Sequence, residues 1–473
     1  HGGAGALGQL HDGAVGDVVD RHRKRCALDG PGPSDAGRVE GGVVRARADV
    51  LGGRDCPVFG AGVSLAAVPV FALAFVLVAV PVLALAAAVA MAFAGAAFAG
   101  GPGINLPAPA LQEGFSIHGL IDTGFQIHHA NGTTSARMMP NGDETSAFHL
   151  RARENLHGGN YVRLKLSAPF KPDSGEFNNK NTSGDPILFN EAFVAVGGEW
   201  GELAAGRLAN IFSGNGDFGL CPHINPSPMG TNFPNAGLTP IFSSGYYYNN
   251  SVIYNSPRVN GFHVAAMYSN GRDDDSVSRG KSDQFSALAL TYIGESFKFA
   301  VIPTYIDSDS LKTATVTPND EYGIALLGSY WPEPTMGLHF GYQFIRDGRA
   351  LGGSYFNYFT PAAAGGPGIA KSERGVDTHA LSLGFSKRFG AQKISIVLMG
   401  NKVEYKGDSA VDGDHEGWRV IPATIYRYYL SKRTHFWASA STSQSGGLYK
   451  KAREFEKDPT KAWDVGAGLV HHF

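Results

Sequence analysis

From Glu113 to the C-terminus, apolar and polar side chains alternate in short runs divided by polar stretches rich in Gly and Asn. In the first run Phe115, Ile117, Ile121, Phe125 and Ile127 share one face, while Ser116, His118, Asp122, Gln126 and His128 share the other. A period of two predicts a β-strand. The pattern recurs where Val162, Leu164 and Leu166 alternate with Arg163, Lys165 and Ser167, and again in Phe262–Ser269 and Ala380–Ser386. The last run sets Trp463, Val465, Ala467, Leu469, His471 and Phe473 against Asp464, Gly466, Gly468 and His472. Glu191–Val196 is ambiguous, with mixed faces, and no convincing amphipathic helix is found.

The polar faces decide between two all-β architectures. A soluble sandwich would bury Arg, Lys, Asp and His, which is costly without partners. A closed transmembrane antiparallel β-barrel turns the apolar face to lipid and the polar face to a wet lumen, and closure satisfies every backbone group. Aromatic clusters at Tyr246–Tyr248, Tyr426–Tyr429 and Phe436–Trp437 fit interfacial belts. Polar inserts at Ala130–Thr145, Lys171–Asp185, Gly271–Ser282 and Gly348–Asp377 read as long loops on one side. Val259–Gly261 reads as a tight turn on the other.

The front of the chain is a different object. Residues 1–55 show neither helical nor strand periodicity and are expected to be an extension outside the folded unit. Residues 56–99 resemble a signal peptide, with the Pro-free apolar run Val82–Ala99 ending in a small-residue cleavage pattern at Ala97 and Ala99. A transmembrane helix is the alternative for that stretch. Residues 100–473 are the expected barrel.

Composition adds exclusions. Among 473 residues the formal net charge is −2, and no clustered basic face points to nucleic acid. Of Cys26, Cys56 and Cys221, the first two fall in the segments ahead of the barrel, so no disulfide is expected within it. Gly214-Asn-Gly-Asp-Phe-Gly219 matches a dinucleotide fingerprint literally, but Cys221-Pro222 and further prolines follow, so no helix is expected to start there. Asp273–Asp275 and Asp412–Glu416 gather carboxylates without the spacing of a calcium loop. Alternation sends His471 and His472, like His128 and His129, to opposite faces. No hydrolase or metalloprotease motif occurs, and no enzyme activity, cofactor or metal is expected. An outer-membrane lipase would need lipid-facing Ser and His, for which only His435 and Ser439 could be nominated.

Six segments in order resemble the general porins of Gram-negative bacteria. Ile117-His-Gly-Leu-Ile-Asp-Thr-Gly124 is similar to that family's opening strand, with His118 where Tyr is usual. Leu150–Gly159 resembles its second strand and turn, Ala205-Gly-Arg207 the entry to its third loop, and Asn249–Pro257 the strand leaving that loop. Tyr429–Thr434 and the terminal Val470-His-His-Phe473 resemble its last hairpin and closing strand.

The resemblance implies a homotrimeric, sixteen-stranded outer-membrane porin whose third loop folds inward as a constriction. Small hydrophilic solutes and ions would cross by passive diffusion, and a substrate-selective channel is the alternative. It implies wall residues Arg151, Arg153, Arg163, Lys165 and Arg207 facing an acidic loop, here represented by Asp217. Alternation independently supports a lumen-facing placement for the first four. Asp217 is the one acid between Arg207 and Arg258, so an excess of base and a lean toward anions are expected. Prolines 222, 226, 228, 234 and 240, with Phe233, Phe242 and Tyr246, suit a stiff loop. Their aromatics would either anchor it to the wall or offer a surface to uncharged solutes. Phe473 is the implied signal to the barrel-insertion machinery, and outer-membrane lipid and lipopolysaccharide are the implied surroundings.

Overall fold

The computed structural model describes residues 113–473 except 131, 178, 181–185, 215, 230–241, 243–246, 272–283, 309–311, 313–316, 349–372, 407–414 and 450–460. The expected extension 1–55 and apolar segment 56–99 lie outside the described residues, as do Pro234, Pro240, Phe233, Tyr246 and the carboxylates of Asp273–Asp275.

The chain runs through β1 (Gly114–Ala130), β2 (Thr133–Pro140), β3 (Ala147–Asn155) and β4 (Tyr161–Pro169). A loop carrying the short β5 (Asn179–Lys180) and β6 (Pro186–Ile187) leads to β7 (Glu191–Gly198) and β8 (Gly201–Ala209). A helical turn α1 (Cys221–Ile224) precedes β9 (Tyr247–Asn255), β10 (Phe262–Ser269), β11 (Gln284–Ile293) and β12 (Phe297–Asp307). The wall is completed by β13 (Glu321–Glu333), β14 (Met336–Gly348), β15 (Val376–Phe389), β16 (Gln392–Tyr405), β17 (Glu416–Tyr429), β18 (Thr434–Gly447) and β19 (Lys461–His472).

Apart from β2 and β3, successive strands of the wall pair antiparallel, and β1 pairs with β19 to close the ring. Both β2 and β3 pair with the same edge of β1, so they are two pieces of one crossing, and the wall has sixteen crossings. The insert expected as a loop at Ala130–Thr145 is therefore mostly strand, broken at residues 141–146. The Thr133–Pro140 run lacked the clean alternation that would have revealed it.

Burial follows the expected alternation. Phe115, Ile117, Phe125, Leu288, Leu398 and Trp463 are exposed on the outer face, whereas Asp122, Arg163, Ser382, Ser395 and Asp464 are buried toward the lumen. In β7 the ambiguous run resolves: Val194 and Val196 face outward, and Glu191, Phe193 and Ala195 inward. Phe193 is apolar on the lumen side because Phe218 packs edge-on against it at 5.1 Å. Belts form at Tyr426, Tyr428 and Phe436, which are exposed, but Trp437 and Tyr248 are buried inward and do not belong to them. Adjacent strand residues point to opposite faces, so a run of aromatics cannot all meet lipid.

Turns at one end are short. At Val259-Asn-Gly-Phe262 both central residues have positive φ, 50° at Asn260 and 84° at Gly261, the type I′ hairpin that matches strand twist.

Candidate functional site

The described residues after β8, from Asn210 to Met229, turn into the barrel. Among them Asp217 lands on the wall made by β3 and β4: Arg151 donates to Oδ1 at 2.9 Å, Lys165 to Oδ1 at 2.6 Å and Arg163 to Oδ2 at 2.6 Å. Arg151 and Lys165 are paired across the two strands, and Arg163 stands two residues before Lys165, so alternation itself gathers the three cations. Burial would push the Asp217 carboxyl up, but Lys165, Arg151 and Arg163 hold it well below the usual carboxylate range.

Two wall carboxylates complete the cluster, and both were missed from sequence. Glu202 on β8 takes a bidentate contact from Arg163, 2.7 Å from Nε and 2.6 Å from the second amino nitrogen, and accepts the Tyr161 hydroxyl at 2.8 Å. Glu191 on β7 accepts Lys165 at 2.5 Å, and its other oxygen accepts the Asp217 backbone N–H at 3.1 Å. Three cations thus meet three carboxylates. The expected excess of base at this point is corrected: it counted acids on the loop and overlooked those on the wall. A carboxylate on the lumen face of a strand, within two strands of the basic run, was the available signal.

Arg153 also faces the lumen but lies over the Tyr161 ring at 3.9 Å and donates to Asn155. Arg207 sits at a bulge between Gly206 and Leu208, donates to the Asn249 side chain and lies 5.9 Å from the Tyr247 ring. Neither is part of the Asp217 clamp. The bulge breaks the alternation from which a β8 side chain would be placed.

Past Asp217 the loop makes one helical turn, α1, with Pro222 in its first turn, where a missing N–H costs nothing. The expectation that no helix could start there is corrected, although one turn is too short to serve a phosphate. The far end docks on β13 and β14: Ser329 Oγ donates to Ile224 O at 2.6 Å, and His339 Nδ1 lies 2.7 Å from Asn225 O. Counted around sixteen crossings, β13 and β14 stand half a ring from β3 and β4, so the loop bridges the lumen. Phe242 is fully buried and stacks on Phe212 at 5.8 Å, anchoring the loop instead of offering a free surface. The Cys221 thiol is buried and donates to Phe212 O, and burial pushes its pKa up.

Charge also approaches α1 from the β9–β12 side. His223 is held below its ordinary pKa first by burial, then by Arg258 and Lys298, against Asp217. Arg258, in the β9–β10 turn, is buried, and its Nε has no hydrogen-bond partner among the described residues. His435 and Ser439, the pair a lipase would need on the lipid side, are both buried on the lumen face.

A closed barrel with an apolar outside, a polar lumen and a loop across it is a membrane channel. The profile of the Gram-negative porin family matches residues 84–447, and the chain belongs to that family. It is an outer-membrane pore through which small hydrophilic solutes pass by passive diffusion. An outer membrane porin protein of Bordetella pertussis is 29% identical over 395 residues, covering 76% of this chain and 95% of the relative. The chitoporin of Vibrio furnissii is 26% identical over 189 residues, covering 37% of this chain and 49% of that one. Among solved structures, the anion-selective porin from Comamonas acidovorans superposes with a TM-score of 0.53 at 19% identity, over 76% of this chain and all of that one. The outer membrane channel DcaP of Acinetobacter baumannii gives 0.54 at 10% identity, over 76% and 97%.

Proposed function

We propose that this porin is a weakly selective diffusion channel whose aperture is set by the Asp217 clamp and whose slight preference for anions comes from Arg258 and Lys298. The observation that carries the reading is the pairing of Arg151, Arg163 and Lys165 with Asp217, Glu191 and Glu202. A neutral, mutually hydrogen-bonded cluster holds the loop in place but presents little net field to a passing ion. Arg153 and Arg207 line the wall outside it. Reversal potentials in planar bilayers test the proposal. Wild-type protein should show a mild anion preference, which Arg258→Gln with Lys298→Gln should abolish and Asp217→Asn should increase. A clear cation preference in wild type, or no change in the double variant, would overturn it. Flux falling smoothly with solute size fits this reading; saturable flux would favour a substrate-selective channel.

Two further roles rest on resemblance together with position. The chain assembles as a homotrimer in lipid and lipopolysaccharide, and Phe473 is read by the insertion machinery. In support of the second, Phe473 ends the closing strand with its ring half exposed on the outer face.

A further inference from the structure

The break in the second crossing, residues 141–146, turns into the lumen and is held there tightly. Asp122 Oδ2 accepts the backbone N–H of Asp143 at 2.5 Å and of Glu144 at 2.7 Å, and its Oδ1 accepts the Trp437 indole at 2.8 Å. Ser146 Oγ accepts the Asp122 N–H at 2.9 Å. The turn therefore presents Glu144 in a fixed direction. His472 Nε2 lies 3.4 Å from its Oε2, and the ligand atoms of Glu144, His435 and His472 all fall within 4.8 Å of one another.

We propose that Glu144, His435 and His472 form a binding site for a divalent transition-metal ion, zinc in particular, on the lumen wall near the short-turn end of the barrel. Two imidazoles and one carboxylate are a ligand set that zinc accepts, with bonds of about 2.0–2.2 Å and a fourth position for water. Tetrahedral ligands at that radius stand about 3.3 Å apart, close to the Glu144–His472 separation. Bringing His435 from within 4.8 Å to that spacing needs at most about 1.5 Å of closure, which side-chain rotation can supply. Calcium and magnesium prefer all-oxygen shells and are disfavoured by two nitrogens.

The surroundings fit. His435 Nε2 lies 2.9 Å from Asp143 Oδ2, the carboxylate–imidazole contact that orients a ligating histidine and raises its basicity through its other nitrogen. Three carboxylates, Asp122, Asp143 and Glu144, gather at the site, with Arg427, Lys393 and Arg388 as the cations near them. The side chains of Glu144 and His472 are 37% and 40% exposed, whereas that of His435 is 5% exposed. The site is thus open to the lumen on one side and closed on the other. His471 points outward and meets Thr434 Oγ1 at 3.0 Å, so the ligand partners of His472 come from other segments and not from its neighbour.

Isothermal titration of tag-free, detergent-solubilised protein with zinc chloride tests this. Wild-type protein should bind one zinc per chain, and so should His471→Ala. His472→Ala and Glu144→Gln should each weaken binding at least tenfold while migrating as folded barrels on unheated gels. The wild-type protein with Co2+ should show the visible bands of tetrahedral coordination, a readout needing no variant. Absent saturable zinc binding, absent cobalt bands, displacement of zinc by equal calcium, or equal loss in His471→Ala would each overturn the proposal.

Discussion

Gly216 adopts a φ of 84°, and a Cβ there would run into Ala209 and the Glu191 carboxylate. An L side chain in that region costs about 1–2 kcal/mol before any clash. The glycine thus gives Asp217 its turn onto the wall, and a segment that matches a nucleotide fingerprint has a local, geometric reason. Gly216→Ala should displace Asp217 while leaving the barrel closed. Single-channel recordings are expected to show altered conductance and more open-channel noise, with normal migration on an unheated gel. An unchanged trace would show that the loop tolerates the side chain. The basic wall residues were legible because they alternate with Val162, Leu164 and Leu166; Glu191 and Glu202 were not, because their meaning depends on strands that meet only in the barrel.

At the scale of the element, the third loop is a strut fixed at both ends. One end rests on charge and the other on backbone acceptors and apolar packing around Leu220, Ile224 and Phe242. Asp217 has a folded pKa below its unfolded value, so its stabilisation is complete above the ordinary carboxylate pKa of about 4 and fades as pH falls through the lower folded value. Conductance is therefore expected to hold steady from pH 7 to about 4 and to change only in stronger acid. A transition centred between pH 4 and 6, lost in Asp217→Asn, would contradict the clamp. Removing one partner of such a buried pair typically costs about 3–5 kcal/mol, because it leaves the other charge buried without compensation. The break at 141–146 escaped the sequence reading because its fixings, Asp122 and Trp437, stand in distant strands.

At the scale of the molecule, closure joins the two ends of the barrel. Gly119 and Phe473 exchange both backbone hydrogen bonds, at 3.1 and 2.9 Å, and the Phe473 ring lies over Gly119, where a Cβ would come within 2.8 Å of it. The opening motif and the terminal Phe are thus two halves of one seam. Deleting Phe473 removes the last pair of that seam and the proposed assembly signal. Outer-membrane levels should fall several-fold in cell fractionation, while the channels that do insert keep wild-type conductance. Normal levels would remove Phe473 from biogenesis.

Alternation determined the architecture, with one face to lipid and one to the lumen wherever the period of two is clean, and that the strands must close, because an unpaired backbone edge in hydrocarbon has no partner. Local turn chemistry was equally legible at Asn260-Gly261. What only the tertiary structure decided was how the lumen is furnished. Strands half a ring apart are joined by one loop, a second inward turn arises where a crossing breaks, and the charges of four strands and a loop cancel at one point. Those outcomes depend on contacts between residues far apart in the chain, for which a period of two carries no information.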